Sequence, residues 1–255
     1  KSCGGEWAKF RERLISEGPS YFVAFVHSIV VTALGLYSTV SLLRAPVEVQ
    51  MQIPSAAAVE PSVVAYRDAA VSTETTNIIF LSWLCYDLVH IGAMYPTLGG
   101  VDTLVHHIAF MLASVSCAAY RLFPFPFSWL IACELSSPFL NIRWYLLTTG
   151  RKTSTALANT NLAFGCSFFI MRVLLYGVGL AHLWINHAVV LTGPEAVPTA
   201  VVRTVLALVS GGYMLQLFWA KKILAMAGKP APKADGASAA QDPYPIDAAA
   251  KPKAQ

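Results

Sequence analysis

Between Val101 and Tyr145 the chain places His106, His107, Glu134, Asn141 and Arg143 in sequence that otherwise reads as lipid-soluble. Ionisable side chains are costly inside a bilayer, so each marks a candidate functional position. A histidine oriented by a carboxylate is a simple acid–base unit. Asp102 and His106 have the i, i+4 spacing for one on a single helical face, and His107 projects about 100° away from His106. Thr103, His107 and Ser114 form an adjacent polar stripe. Further on, Glu134, Ser137, Asn141 and Tyr145 recur at i, i+3, i+7 and i+11, again on one face. Asn161, Gly165, Phe168 and Arg172 share a face of the next apolar segment, and Tyr213 and Gln216 can contribute from the last. Glu134 and Arg172 lie near the middles of consecutive segments. Opposite charges at equal depth are expected to pair, because either alone in low dielectric would cost far more.

These residues need a frame, and composition says which kind. Of 255 residues, 56% are hydrophobic and only 13% charged, against about 25% charged in soluble domains. The chain is therefore read as an all-α integral membrane protein. Residues 1–20 form an amphipathic interfacial helix, with Trp7, Phe10 and Leu14 on one side and Lys9, Arg11 and Arg13 elsewhere, ended by Gly18-Pro19. Residues 21–224 hold six expected spans: Tyr21–Leu43, Asn77–Tyr95, Val101–Tyr120, Phe125–Leu147, Asn161–Trp184 and Thr199–Leu224. Residues 44–76 are expected to be the longest loop, broken by Pro46, Pro54 and Pro61. Pro96–Gly100 and Phe123–Phe127 are tight turns, Pro138 bends the fourth span, and residues 185–198 form another loop. Residues 225–255 are an extended tail of mostly Ala, Pro, Lys and Asp, which should be disordered when alone.

Six spans put both termini on one side. That side collects twelve Lys and Arg residues from 1–20, 148–160 and 221–255, against three on the other, Arg44, Arg67 and Arg121. The positive-inside rule then turns both termini toward the cytosol or a matrix-like compartment. Asp87, His90, Asp102, His106 and His107 fall in the inner half, and the simplest construction is a six-helix ring around a polar cavity opening toward the positive side. His27, His182 and His187 are interfacial or isolated, and no chemistry is assigned to them. Arg151 and Lys152 read as positive-inside anchors.

Several classes of function are disfavoured. Four of the five cysteines lie in apolar spans without metal-ligand spacing, so they read as small core residues. Asp102-x-x-x-His106-His107 superficially resembles a histidine box, but a di-iron site would need more histidines than the inner half offers, so no metal is expected. Basic residues flank spans without interleaved aromatics, which argues against nucleic acid.

The His106-His107 pair and the run Glu134-Leu-Ser-Ser-Pro-Phe-Leu-Asn-Ile-Arg-Trp144 resemble the TLC-domain family of multispan membrane proteins, which includes the ceramide synthases. Phe168-Phe169 with Arg172, and Gly212-Tyr213 with Gln216 and Trp219, extend the resemblance across roughly residues 20–225. The Glu-Leu-Ser-Ser-Pro-Phe run is more similar to the TLC-domain-containing proteins than to the synthases. The resemblance implies a six-helix barrel with a lipid-accessible cavity. The synthases follow their double histidine with a His-Asp pair and a further Asp on the next helix. Here Cys133, Glu134 and Ser137 stand in those places.

The expectation is thus a non-catalytic protein that binds or organises lipid, with cavity lining from His106, His107, Glu134, Asn141, Arg172, Tyr213 and Gln216. It needs no cofactor beyond a bound phospholipid or other lipid. Its expected partners are membrane lipids and other membrane-protein subunits touching the tail and the 44–76 loop, which would make it an accessory subunit of a larger organellar complex. The alternative is a lipid N-acyltransferase using acyl-CoA, with His106, His107 and Asp102 as its catalytic candidates. The chain does not begin with Met, so either a presequence has been removed or the true start lies upstream. A removed presequence would suit the mitochondrial inner membrane. The ending Lys251-Pro-Lys253-Ala-Gln255 has the form of an endoplasmic-reticulum retrieval signal, which would instead suit that organelle.

Overall fold

The computed structural model describes residues 3–55, 63–95, 97–192 and 195–227. The 225–255 tail, with its retrieval-like ending, lies outside the described residues from 228 onward, as do residues 56–62 of the expected loop and Pro96 of the expected turn. The described residues are almost wholly helical, with one isolated antiparallel bridge between Gln52 and Leu122. In order they form α1 (Cys3–Ser16), α2 (Gly18–Leu42), α3 (Val47–Met51), α4 (Val64–Ala93), α5 (Val101–Tyr120) and α6 (Pro124–Ala132). A 3-10 turn (Cys133–Ser136), α7 (Ser137–Thr148) and α8 (Thr155–Phe168) follow. A π-helical turn (Phe169–Leu175), α9 (Tyr176–Asn186), α10 (Val189–Thr192) and α11 (Thr199–Ala227) complete the chain.

Five helical runs are long and apolar enough to cross a membrane: Gly18–Leu42, Val64–Ala93, Val101–Tyr120, Thr155–Thr192 and Thr199–Ala225. Phe125–Leu147, expected as one span, is instead α6, the 3-10 turn and α7 in succession. The break has a local cause. Pro138 has no N–H to bond the carbonyl one turn back and its ring crowds that turn, so the backbone stays right-handed through Ser136 and Ser137 but tightens to 3-10 geometry and restarts with Pro138 in the first turn of α7. The composite segment still traverses the bundle. Its start is tied to α3, where the Phe123 N–H donates to the Met51 carbonyl at 2.7 Å. Its far end meets α1, where Gly150 lies against the Phe10 ring.

Two expected boundaries move. The 44–76 loop is shorter, because α3 fills part of it and α4 begins at Val64 rather than Asn77. Residues 64–76 are too polar to look like membrane, yet Ala69, Ala70, Thr73 and Thr76 are buried on one face at helical spacing. The 185–198 loop likewise contains the end of α9 and all of α10. Gly18-Pro19 separates α1 from α2 as expected, but does so as the opening of α2, with proline in the first turn.

Packing follows apolar faces. Gly35 brings α2 against α6 so closely that a Cβ there would stand 2.7 Å from the Ala132 nitrogen and 2.9 Å from the Ser128 carbonyl oxygen. Trp129 and Tyr176 are the largest fully buried side chains, and Trp129 fills the space left by Gly179. At the other junction, Tyr21 stacks on Trp144 at 4.0 Å, and Glu17 accepts from both Arg13 and the Trp144 indole.

Candidate functional site

A cavity of about 220 Å³ sits toward one end of the bundle. It is lined by Ala24 and Ser28 from the start of α2, Trp83 and Asp87 from the last third of α4, Thr103 from the first turn of α5 and Lys222 near the end of α11. Up-and-down topology brings those segments to the same end, the one that also carries α1.

Three polar assemblies face this space. The first is the expected pair. Arg172 donates to Glu134 at 2.9 Å, to Ser137 at 3.0 Å and through Nε to Ser136 at 2.8 Å, and Ser137 donates to Glu134 at 2.5 Å. The 3-10 turn presents Glu134 and Ser136 side by side, and the π turn presents Arg172. At the π turn the Tyr176 N–H reaches both the Met171 and the Val173 carbonyls, and side chains from neighbouring helices bond the same two oxygens. Cys133 donates to the Met171 carbonyl at 3.1 Å and Tyr213 to the Val173 carbonyl at 3.2 Å.

The second assembly is a dyad whose carboxylate comes from another helix than expected. His107 Nε2 lies 2.8 Å from Asp87 of α4, and its Nδ1 lies 2.9 Å from the Thr103 carbonyl. A carbonyl only accepts, so Nδ1 carries a hydrogen. One further proton between Nε2 and the Asp87 carboxylate completes that contact, and the pair is then neutral overall. Asp102 makes no bond to His106. It accepts from the Trp219 indole at 3.1 Å, because the start of α5 faces the end of α11. Trp219 in turn packs on the His106 ring at 5.3 Å, so Asp102 acts on the histidine only through that indole.

The third is His106 itself. Its ring lies 4.7 Å from Phe110, and its Nδ1 is buried with no hydrogen-bond partner among the described residues. His106, Glu134 and Arg172 line both the large cavity and a chamber of about 20 Å³ deeper in the bundle.

Of the residues expected from sequence, His106, His107, Glu134, Asn141 and Arg172 line the large cavity. Gln216 lines the deeper chamber. Tyr213 stacks on Tyr176 outside both. Arg143 is buried and bonds Asn161 away from the cavity. His90 leans on Tyr86 and takes no part. His27, to which the sequence assigns no chemistry, lines the cavity, with its ring 4.8 Å from that of Trp83. Its apolar neighbours in sequence give no signal; only the α2–α4 contact brings it in. Among the described residues, no group of three or more His, Cys, Asp or Glu side chains has the geometry to hold a metal ion.

The profile of the TLC domain matches residues 19–225. The chain belongs to the TLC-domain family. The matched range begins in the first turn of α2 and ends in the last turns of α11, so it covers every helix that lines the two cavities. A curated relative, TLC domain-containing protein 4-B of Danio rerio, is 30% identical over 97 residues. That match spans 37% of this chain and 36% of the relative. No solved structure gives a significant match.

Proposed function

We propose that this TLC-domain protein binds a membrane amphiphile, with the polar group at the cavity mouth beside Lys222 and the chain directed inward past His106, and that it performs no covalent chemistry on it. The observation that carries this reading is the pairing inside the cavity. Glu134, Arg172, Ser136 and Ser137 satisfy one another, and His107 is engaged at both nitrogens. Such groups shape a site without being free to attack a substrate. The walls between them are aromatic and aliphatic, including Phe80, Trp83, Leu140, Phe164 and Phe168. At about 220 Å³ the space is below the ~300–1,000 Å³ usual for drug-sized ligands. It suits one chain end rather than a whole diacyl lipid.

The test is lipid retention. Purified protein should carry a lipid that survives delipidating washes, and Leu140→Trp, which fills the cavity, should reduce it at least tenfold. Equal retention by the variant would refute the site.

A second reading keeps one specific support. The Asp87–His107 dyad beside His106 is a candidate acid–base arrangement for lipid N-acyl transfer from an acyl thioester such as acyl-CoA. On that reading His106, whose Nδ1 has no partner among the described residues, is the candidate base or nucleophile. His106→Ala and His107→Ala should then abolish acylation while leaving the melting temperature nearly unchanged. Unaltered acylation in both variants removes this reading. Membership of a larger organellar assembly, in the mitochondrial inner membrane or the endoplasmic reticulum, extends the first reading; its support is the composition of residues 225–255. Purification as a monomer under mild detergent would count against it.

A further inference from the structure

The deeper chamber is mostly apolar, with Phe110, Phe127, Leu130 and Ile131 on its walls, yet two unsatisfied polar atoms belong to side chains that line it. They are His106 Nδ1 and Gln216 Oε1, both buried without a hydrogen-bond partner among the described residues. Gln216 is only 1% exposed. An unsatisfied buried polar group costs about 1–3 kcal/mol, so two around one small chamber call for a physical reason. A chain of methylenes entering the chamber would leave both unsatisfied.

We propose that the chamber reads a hydroxyl on the ligand's chain, and that Gln216 with His106 is its specificity determinant. This rests on the lipid-binding reading and names the class of lipid. A hydroxyl is the smallest group that donates and accepts at once. It can donate to the Gln216 oxygen and accept from His106 Nδ1–H. If the Gln216 amide is turned the other way, the hydroxyl accepts from it and donates to an unprotonated Nδ1. The volume agrees. A water-sized group needs about 10–15 Å³ of such space, and the chamber offers about 20 Å³. The position agrees as well. Phe80, His106, Glu134 and Arg172 line both spaces, so a chain that enters from the large cavity passes them on its way to the chamber. The preferred ligand is therefore a hydroxylated acyl or alkyl chain, with its oxygen at one fixed distance from the headgroup.

The experiment is competition binding to the full-length protein in detergent, read by native mass spectrometry. The probes are lysophosphatidylcholine with an unsubstituted octadecanoyl chain and its monohydroxy analogues, with the hydroxyl moved carbon by carbon. One position should bind about tenfold more tightly than the unsubstituted chain, with neighbouring positions weaker. Gln216→Leu should bring that ratio to about one. A flat series in the wild-type protein overturns the proposal, whatever the variant does, and an ordered water shared by His106 and Gln216 would then be the occupant. A peaked series that survives Gln216→Leu also overturns the assignment to Gln216. If no chain binds at all, the lipid-binding reading fails and takes this one with it. If all chains bind equally, only this one fails.

Discussion

Arg172 is held by three oxygens from one short stretch, Glu134, Ser136 and Ser137. Removing it leaves the Glu134 carboxylate buried without its cation, which typically costs about 3–5 kcal/mol. Arg172→Met should therefore lower the melting temperature strongly, and Glu134→Leu added to it should restore part of the loss, because an apolar pair carries no uncompensated charge. A double variant as unstable as the single would contradict this account. Asp87→Asn tests the dyad differently. It keeps the shape but removes the carboxylate that holds His107 Nε2, so it should alter lipid selectivity or acylation more than stability. Equal lipid profiles and turnover in Asp87→Asn would show the dyad to be structural. At this scale the Glu134–Arg172 pair was legible in the sequence, because two charges in apolar spans have few partners to choose from. The partners of Asp102 and His107 were not. An i, i+4 spacing says that two side chains are neighbours on one helix, while the choice between that neighbour and a group across the interface belongs to packing.

Helix breaks decide where the site is. α6 and α7 are one traverse of the bundle interrupted by the 3-10 turn, and that turn carries Glu134 and Ser136. Proline at 138 announced a bend, but not a change of helix type just before it. The close approach that fixes this composite element is at Gly35, where a Cβ would meet backbone atoms of Ser128 and Ala132. Backbone cannot rotate away as a side chain can, so Gly35→Ala should destabilise by roughly 1–3 kcal/mol, measured as loss of thermal stability in detergent. A neutral result would mean that α2 and α6 sit further apart than described.

For the molecule as a whole, the number of crossings decides which ends share a compartment. Five runs are long enough alone, and the composite segment Pro124–Thr148 traverses the bundle beside them. If it also crosses the bilayer, Lys152 and the end of α11 face the same side as α1. Single cysteines placed at 8 in α1 and at 152, in a background with its cysteines replaced, should then label together with an impermeant thiol reagent. Labelling from opposite sides would reduce the crossings to five. The all-helical membrane fold was readable from apolar run lengths, and the cavity's end of the bundle from counting those runs. The π turn was not, although its trace is present. Phe164, Phe168, Arg172 and Tyr176 are all buried at strict intervals of four. A regular helix advances about 100° per residue, so each such step overshoots by about 40° and three overshoot by about 120°. The wider turn at 169–175 absorbs this mismatch. The α8–α9 rod therefore behaves as two shafts joined by a phase coupling. Deleting one residue, Ile170, would let the helix run on unbroken, with seven regular steps of about 100° from Phe168 to Tyr176 in place of eight that span two turns, so Gly179 and Leu183 would stay within about 20° of their present register. The extra residue therefore acts locally, on the turn that presents Arg172, and not on the orientation of the shaft beyond it.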